Sequence, residues 1–288
     1  MKCRCWLIYS IPDAERNRRN IGFYLEKGAD LGIKVELLYR EYIKIGVSGG
    51  KLSVSYEGSE VTLPDFAVCR TIDPQLSRQL ERLGVPVFNS SRVAEITGDK
   101  ARTYQFFAGS VPMPDTLFFR WHETPEKGAL ACPLVAKPCC GRGGYEVKLV
   151  GDERELEGYC RERRERREDF VLQKLAGRPG YDLRVYVIGR EPVAAMLRSA
   201  AGDDIRANFC LGGRAEVYRL SEDEKSLVCR IAEALEPGFI GVDFLFDADG
   251  GLLLNEIEDV VGARMLYTFT DVDPVARYLE FILKKLNI

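Results

Sequence analysis

Three acids near the end of this 288-residue chain stand among apolar neighbours: Asp243 in Gly241-Val242-Asp243-Phe244, and Glu256 and Glu258 in Leu254-Asn255-Glu256-Ile257-Glu258. Each run reads as a strand, at 240–246 and 251–257, with a hairpin turn at Asp247-Ala248-Asp249-Gly250 between them. Glu256 and Glu258 are two residues apart, so both point to one face of their strand. A buried carboxylate is costly unless it is paired, hydrogen-bonded or bound to a cation. Three that converge suit a hard divalent ion, Mg²⁺ or in its place Mn²⁺. The same pattern also fits a sheet edge with solvated acids.

Cations and a glycine-rich turn precede these acids. Leu134-Val135-Ala136-Lys137-Pro138 ends an apolar strand in a lysine, and Gly141-Arg142-Gly143-Gly144 follows. Such a turn lets backbone N–H groups approach an anion, and a nearby lysine neutralises phosphate charge. The Gly-Lys-Ser/Thr ending of a Walker loop is missing, and taken singly the stretch fits a plain β-hairpin as well. Further candidates are Lys100, Lys174 and Leu175 at the end of an apolar strand, Asp182-Leu183-Arg184, Arg198, Arg206-Ala207-Asn208 and Gly212-Gly213. Several cations, a glycine loop and three convergent acids describe a triphosphate–Mg²⁺ site. His122 is the only histidine; it reads as structural, and no Ser/His/Asp or Cys/His set stands out.

The elements that must hold these residues alternate. Strands are expected at 2–9, 34–38, 66–69 and 85–88, with helices at 13–31 and 75–83, which gives an open, mostly parallel α/β unit. A hairpin is expected from 51–56 and 60–63 around Glu57-Gly58-Ser59. No Gly-x-Gly-x-x-Gly follows the first strand, so a dinucleotide fold of the usual type is not supported. Helices follow at 90–97 and 99–107, then a proline-punctuated linker at 110–116. Strands at 134–137, 145–150 and 170–174 flank a helix at 153–167. Two more strands at 183–188 and 192–197 lead to a helix at 222–235. Ser221 and Glu224 form a capping box for it, and a last helix spans 274–286.

With 46% hydrophobic and 30% charged residues and a net charge of -3, the chain can bury real cores, and no global field favours nucleic acid or a membrane. No apolar run is long enough to span a bilayer. The first residues are too mixed for a signal peptide, which points to the cytoplasm. Nine cysteines, an odd number without regular spacing, read as reduced packing thiols, including Cys139-Cys140. The run 161–168 mixes both signs and reads as a solvated helix face.

Taken in order, the stretches resemble the ATP-grasp superfamily, and most of all its RimK-like carboxylate–amine ligases. They are Thr97-Gly98-Asp99-Lys100, Val135-Ala136-Lys137-Pro138, the glycine turn, Val171 to Leu175, Asp182 to Gly189, Arg206-Ala207-Asn208 with Gly212-Gly213, Gly241-Val242-Asp243, and Asn255 to Gly262. The resemblance runs from about residue 90 to the end. It implies an α/β (α+β) chain in three units: a small open-sheet domain (1–90), a central domain with the glycine loop (91–180) and a C-terminal domain with the metal site (181–288). It implies that Lys100 and Lys137 contact ATP phosphates and that Gly141, Arg142, Gly143 and Gly144 fold over them. Lys174 and Leu175 would lie at the adenine, Asp182 near the ribose, and Arg206 and Asn208 towards phosphate and metal. Asp243, Glu256 and Glu258 would hold Mg²⁺, and Arg198 would face the transferring phosphoryl group.

The activity implied is ATP-dependent joining of a carboxylate to an amine through an acyl phosphate, on an amino acid, peptide or peptide-like metabolite. A phosphotransferase acting on a hydroxyl, or a nucleotide-binding module without turnover, stays open, as does a homo-oligomer. In two places the chain departs from the pattern. Glu258 stands where Glu-x-Asn is usual, and the Ser-Pro-Gly run that commonly follows is absent from the segment leading to Arg264. Arg264 is a candidate to hold a substrate carboxylate, or an exposed arginine after a turn.

Overall fold

The computed structural model describes residues 3–141, 143–144, 146–200 and 213–288. Strands β1 (Cys3–Tyr9), β2 (Ile33–Tyr39), β6 (Phe66–Cys69) and β7 (Val87–Phe88) form a parallel sheet in the order β2-β1-β6-β7. β1 is covered on both faces, as the apolar run of a central parallel strand requires. Cys5, Leu7 and Tyr9 pack towards helix α2 (Arg18–Asp30), while Trp6 and Ile8 pack towards α3 (Pro74–Arg82).

The helix expected at 13–31 is two, α1 (Ile11–Arg16) and α2, broken at Asn17. Its side-chain amide donates to the Asp13 carbonyl at 2.7 Å, a local bond that competes with the helix ladder. The hairpin around Gly58 is also different. β4 (Lys51–Tyr56) pairs along its length with β3 (Ile43–Ser48) across Gly49-Gly50, and only the short β5 (Ser59–Glu60) lies on its other side. Both turn glycines have positive φ, 55° and 76°, the requirement of a two-residue hairpin loop.

Helices α4 (Ser91–Thr97) and α5 (Lys100–Phe107) follow, capped by the side chains of Ser90 and Asp99. The next sheet is antiparallel, in the order β10-β9-β11-β8, from β8 (Thr116–Phe119), β9 (Leu134–Pro138), β10 (Lys148–Val150) and β11 (Phe170–Lys174). Helix α6 (Glu153–Arg166) covers one face through Tyr159 and Cys160. Arg163 in the charged run is 1% exposed and bonds Glu162 and Glu168, so that face is partly an internal ion-pair cluster.

The last sheet runs β14-β13-β12-β15-β16 and is antiparallel: β12 (Tyr181–Ile188), β13 (Glu191–Ser199), β14 (Arg214–Tyr218), β15 (Phe239–Phe246) and β16 (Leu252–Glu258). One face packs on α7 (Glu222–Leu235), α4 and α5 through Leu183, Val185, Val242 and Leu254. The Ser221–Glu224 capping box opens α7 as expected. The other face carries Tyr186 and Met196, which join the core under α9 (Pro274–Leu286) and the short α8 (Arg264–Phe269). β3, β8, β14 and α8 are elements that the sequence reading does not contain. Among the described residues no helix is long and apolar enough to cross a membrane.

Candidate active site

Charged residues gather where the C-terminal sheet meets the central one. On β12 the odd residues Leu183 and Val185 enter the core, so Asp182 and Arg184 share the opposite face. Across the ladder Asp182 opposes Arg198 and Arg184 opposes Asp243. The Arg198 guanidinium donates to both Asp182 oxygens, at 2.5 and 2.7 Å, and to Asp243 Oδ2 at 2.8 Å. Arg184 donates to Asp243 Oδ1 and Oδ2 at 2.7 and 2.6 Å, and to Glu258 Oε1 at 2.6 Å. Acid and base thus alternate across four strands, with Asp182, Arg184, Arg198 and Asp243 all buried.

A β-bulge puts β16 into this arrangement. Phe244 opposes Leu254 but Asp243 opposes Glu256, which leaves Asn255 as the extra residue. Leu252 and Leu254 therefore face the core while Glu256 and Glu258, of the same parity, face the charged side. The bulge also re-aims Asn255. Its Oδ1 accepts from Lys137 Nζ at 2.6 Å, and its carbonyl accepts from Tyr104 at 2.7 Å. Gln173 completes the holder, accepting from Lys137 at 2.6 Å and donating to the Tyr104 hydroxyl.

The expected residues Lys137, Gly143, Gly144, Lys174, Leu175, Asp182, Arg198, Asp243, Glu256 and Glu258 line one cavity of about 100 Å³. Lys100 and Gly141 stand beside it: Lys100 Nζ donates to the Gly141 carbonyl at 3.2 Å and lies 3.4 Å from Glu256 Oε1. Lys174 is exposed, and the chain beyond it is held against the β15–β16 turn. A Cβ on Gly177 would come within 2.4 Å of the Ala248 nitrogen, so only glycine fits. Arg142, Arg206, Asn208 and Gly212 lie outside the described residues. His122 is exposed beside Trp121, away from this cavity, and Arg264 is exposed at the start of α8. A larger cavity, about 730 Å³, lies between residues 124–132 and α6, but its charged residues are all exposed, and Lys127 pairs with Glu153 at 3.0 Å.

The charges are tuned by their surroundings. Burial works to raise the Asp243 carboxyl, but the two guanidiniums outweigh it and hold its pKa at about 2. Burial outweighs Arg198 at Asp182 and Arg184 at Glu258, and raises both carboxyls. Lys137 is 5% exposed, and burial lowers its pKa to about 8 against the pull of Glu256. Oxygen donors from Asp243, Glu256 and Glu258 are of the hard type that Mg²⁺ takes. All three are engaged by cations, and among the described residues no three such side chains stand together open to a metal.

Sequence reasoning had named Arg184 without giving it a role, and had missed Tyr104, Gln173 and Asn255. Gln173 leaves one signal, a polar residue directly after the apolar run Phe170-Val171-Leu172 and still within the strand. Two more buried polar residues tie the N-terminal sheet to the loop after β16. Arg70 donates to the Val261 carbonyl at 2.7 Å, and Asn89 to the carbonyls of Phe239 and Asp259 at 2.9 and 3.1 Å.

Known proteins share this plan. The structure aligns with D-alanine–D-alanine ligase from Bacillus anthracis complexed with ATP at a TM-score of 0.71 and 16% identity, covering 99% of this chain and 97% of that one. N-acetylaspartylglutamate synthase A of Mus musculus is 30% identical over 249 residues, which cover 81% of this chain and 65% of that protein. This chain therefore spans just under two thirds of that relative. A probable alpha-L-glutamate ligase of Xanthomonas axonopodis pv. citri is 31% identical over 268 residues, 88% of this chain and 89% of that protein. Residues 97–282, which hold every element of the cavity, match the family model of the RimK-like ATP-grasp domain, and the chain belongs to that family.

Proposed function

We propose that the chain is an ATP-dependent ligase that joins a carboxylate to an amine and releases ADP and phosphate. The observation that carries this reading is the single cavity where Lys137 and the glycine turn of the central sheet face Arg198 and the acids of the C-terminal sheet. On this reading ATP lies between the central domain, 91–180, and the C-terminal domain, 181–288, with the N-terminal domain beside them.

Lys137, Lys100 and the backbone N–H groups of Gly143 and Gly144 bind phosphate oxygens, and Lys174 and Leu175 border the base. Asp243, Glu256 and Glu258 hold Mg²⁺ or Mn²⁺, which when bound neutralises phosphate charge. Arg198 is fixed by its two bonds to Asp182, so its charge is oriented before any substrate arrives. Aimed at the transferring phosphoryl group and the acyl oxygen, such a cation lowers the barrier, and removing one donor of this kind costs roughly 10²–10³ in rate. The reaction needs no nucleophilic side chain. The substrate carboxylate takes the γ-phosphoryl group, and the amine then displaces phosphate from the acyl carbon.

Both relatives described above are named for glutamate, which makes glutamate the first amine or carboxylate to try. Purified protein, ATP and Mg²⁺ with glutamate and a panel of amino acids and peptides should give ADP and a condensation product by mass spectrometry. Hydroxylamine should divert the acyl phosphate to a hydroxamate. A stable phosphorylated product with no hydroxamate would overturn the ligase reading.

A further inference from the structure

We propose that Arg184 and the divalent cation compete for one pair of carboxylate oxygens, so that metal binds well only with an anion that takes the guanidinium in exchange. This rests on the proposed metal role of Asp243 and Glu258. A single nitrogen, Arg184 Nη2, lies 2.6 Å from Asp243 Oδ2 and 2.6 Å from Glu258 Oε1. Those oxygens come from neighbouring strands and converge on one positively charged point, as the ligands of a bridging cation do. While Nη2 stays there, neither oxygen can turn to a metal without giving up a charge-assisted bond.

The other Asp243 oxygen offers no way round, because Arg184 Nε holds it at 2.7 Å. Arg198 donates to Asp243 as well but also carries Asp182, so it keeps a full partner if Asp243 turns away. Among the described residues Arg184 has no such reserve: its two carboxylates are the ones the metal needs. Glu256 stands apart, facing Lys100. A guanidinium released from Asp243 and Glu258 is buried and needs a new anion. The other acids lining its cavity, Asp182 and Glu256, are already paired with Arg198 and Lys100, while Lys137, Gly143 and Gly144 line the same cavity. A polyphosphate supplies that anion, and metal and nucleotide then enter as one unit. Glu258 is central to this exchange, since an amide at that position, as in the usual Glu-x-Asn, would form no ion pair with Arg184 and would compete less.

The test reads Mn²⁺ binding alone, by calorimetry or electron paramagnetic resonance, without nucleotide or substrate. Arg184→Gln should bind Mn²⁺ at least tenfold tighter than the unaltered chain, because Glu258 loses its competitor and Asp243 keeps only the bond from Arg198, which has Asp182 to fall back on. Glu258→Asn should bind Mn²⁺ as tightly as the unaltered chain or tighter, since the competitor is weakened and an amide oxygen can still ligate. Without competition, loss of the carboxylate should instead weaken binding several-fold. Equal or weaker binding by folded Arg184→Gln overturns the proposal, and if that variant does not fold, weaker binding by Glu258→Asn does so. Product formation is read in the separate condensation screen, so failure of the ligase reading and failure of the exchange are distinguishable.

Discussion

Asp243 and Lys137 line the same cavity, and both are buried, yet their charges are met in opposite ways. Asp243 accepts three bonds from two arginines and stays ionised. Lys137 is held by two neutral amide oxygens, from Gln173 and Asn255, and burial lowers its pKa to about 8. The C-terminal side is largely neutralised from within, and its charges hold one another in place. The central side keeps a cation whose best partner is an anion from outside. A fully paired charge supports the fold, whereas a buried charge without a counter-ion is a feature of a binding site.

The largest effect should come from breaking the paired side. Asp243→Ala leaves Arg184 and Arg198 without a shared acid and should cost about 3–5 kcal/mol of stability in chemical denaturation. It should also abolish Mg²⁺-dependent ADP release; full activity with native stability would show that the pairing is incidental. Breaking the unpaired side should do the reverse. Lys137→Met should weaken nucleotide binding about 10–100-fold in calorimetry, the worth of a lost charge-assisted bond. Its stability should change little, because relief of a buried charge offsets two lost hydrogen bonds. A large loss of stability with intact nucleotide binding would mean that Lys137 is structural.

The comparison sharpens further with pH. A lysine whose pKa is lowered on folding burdens the fold most below about pH 8, and that burden fades as pH rises towards the ordinary lysine value. Phosphate should restore the charge, so nucleotide binding at about pH 9 should take up close to one proton, and less near neutrality. Binding enthalpies in two buffers of different ionisation heat measure this, and identical enthalpies would contradict it. The smallest effect is expected from a third kind of charge. Arg166 pairs with Glu146 at 2.7 Å, but the two side chains are 49% and 39% exposed. Arg166→Ala should cost less than about 1 kcal/mol and leave nucleotide binding unchanged.

Much of the arrangement could be read in advance from particular residues. Lys137 at the end of an apolar strand, the glycine turn after it and the acids at 243, 256 and 258 were legible because each breaks a local pattern. Asn255, Gln173 and Tyr104 were not, since a single amide or phenol in a strand or helix resembles any half-buried polar residue. The break at Asn17 and the pairing of β3 with β4 were missed for a related reason. Asn17 sits in an otherwise continuous helical pattern, and two glycine turns flank β4, of which Gly49-Gly50 closes the long hairpin and Gly58 only the two-residue pairing with β5.

From the sequence alone follow the order of strands and helices around the site, the capping box at Ser221, and the kinds of charge that must meet. Which charges pair is a tertiary matter, because Asp182, Arg198, Arg184 and Asp243 are set face to face only by the register of three strands. The phase of β16 was decided there too. Leu252, Leu254, Glu256 and Glu258 share one parity and by simple alternation would share one face. The bulge at Asn255 separates them, turning the leucines to the core and the acids to the cavity. Local sequence favours neither phase strongly. Burial of leucine on one side and arginine pairing on the other select it once the sheet is assembled.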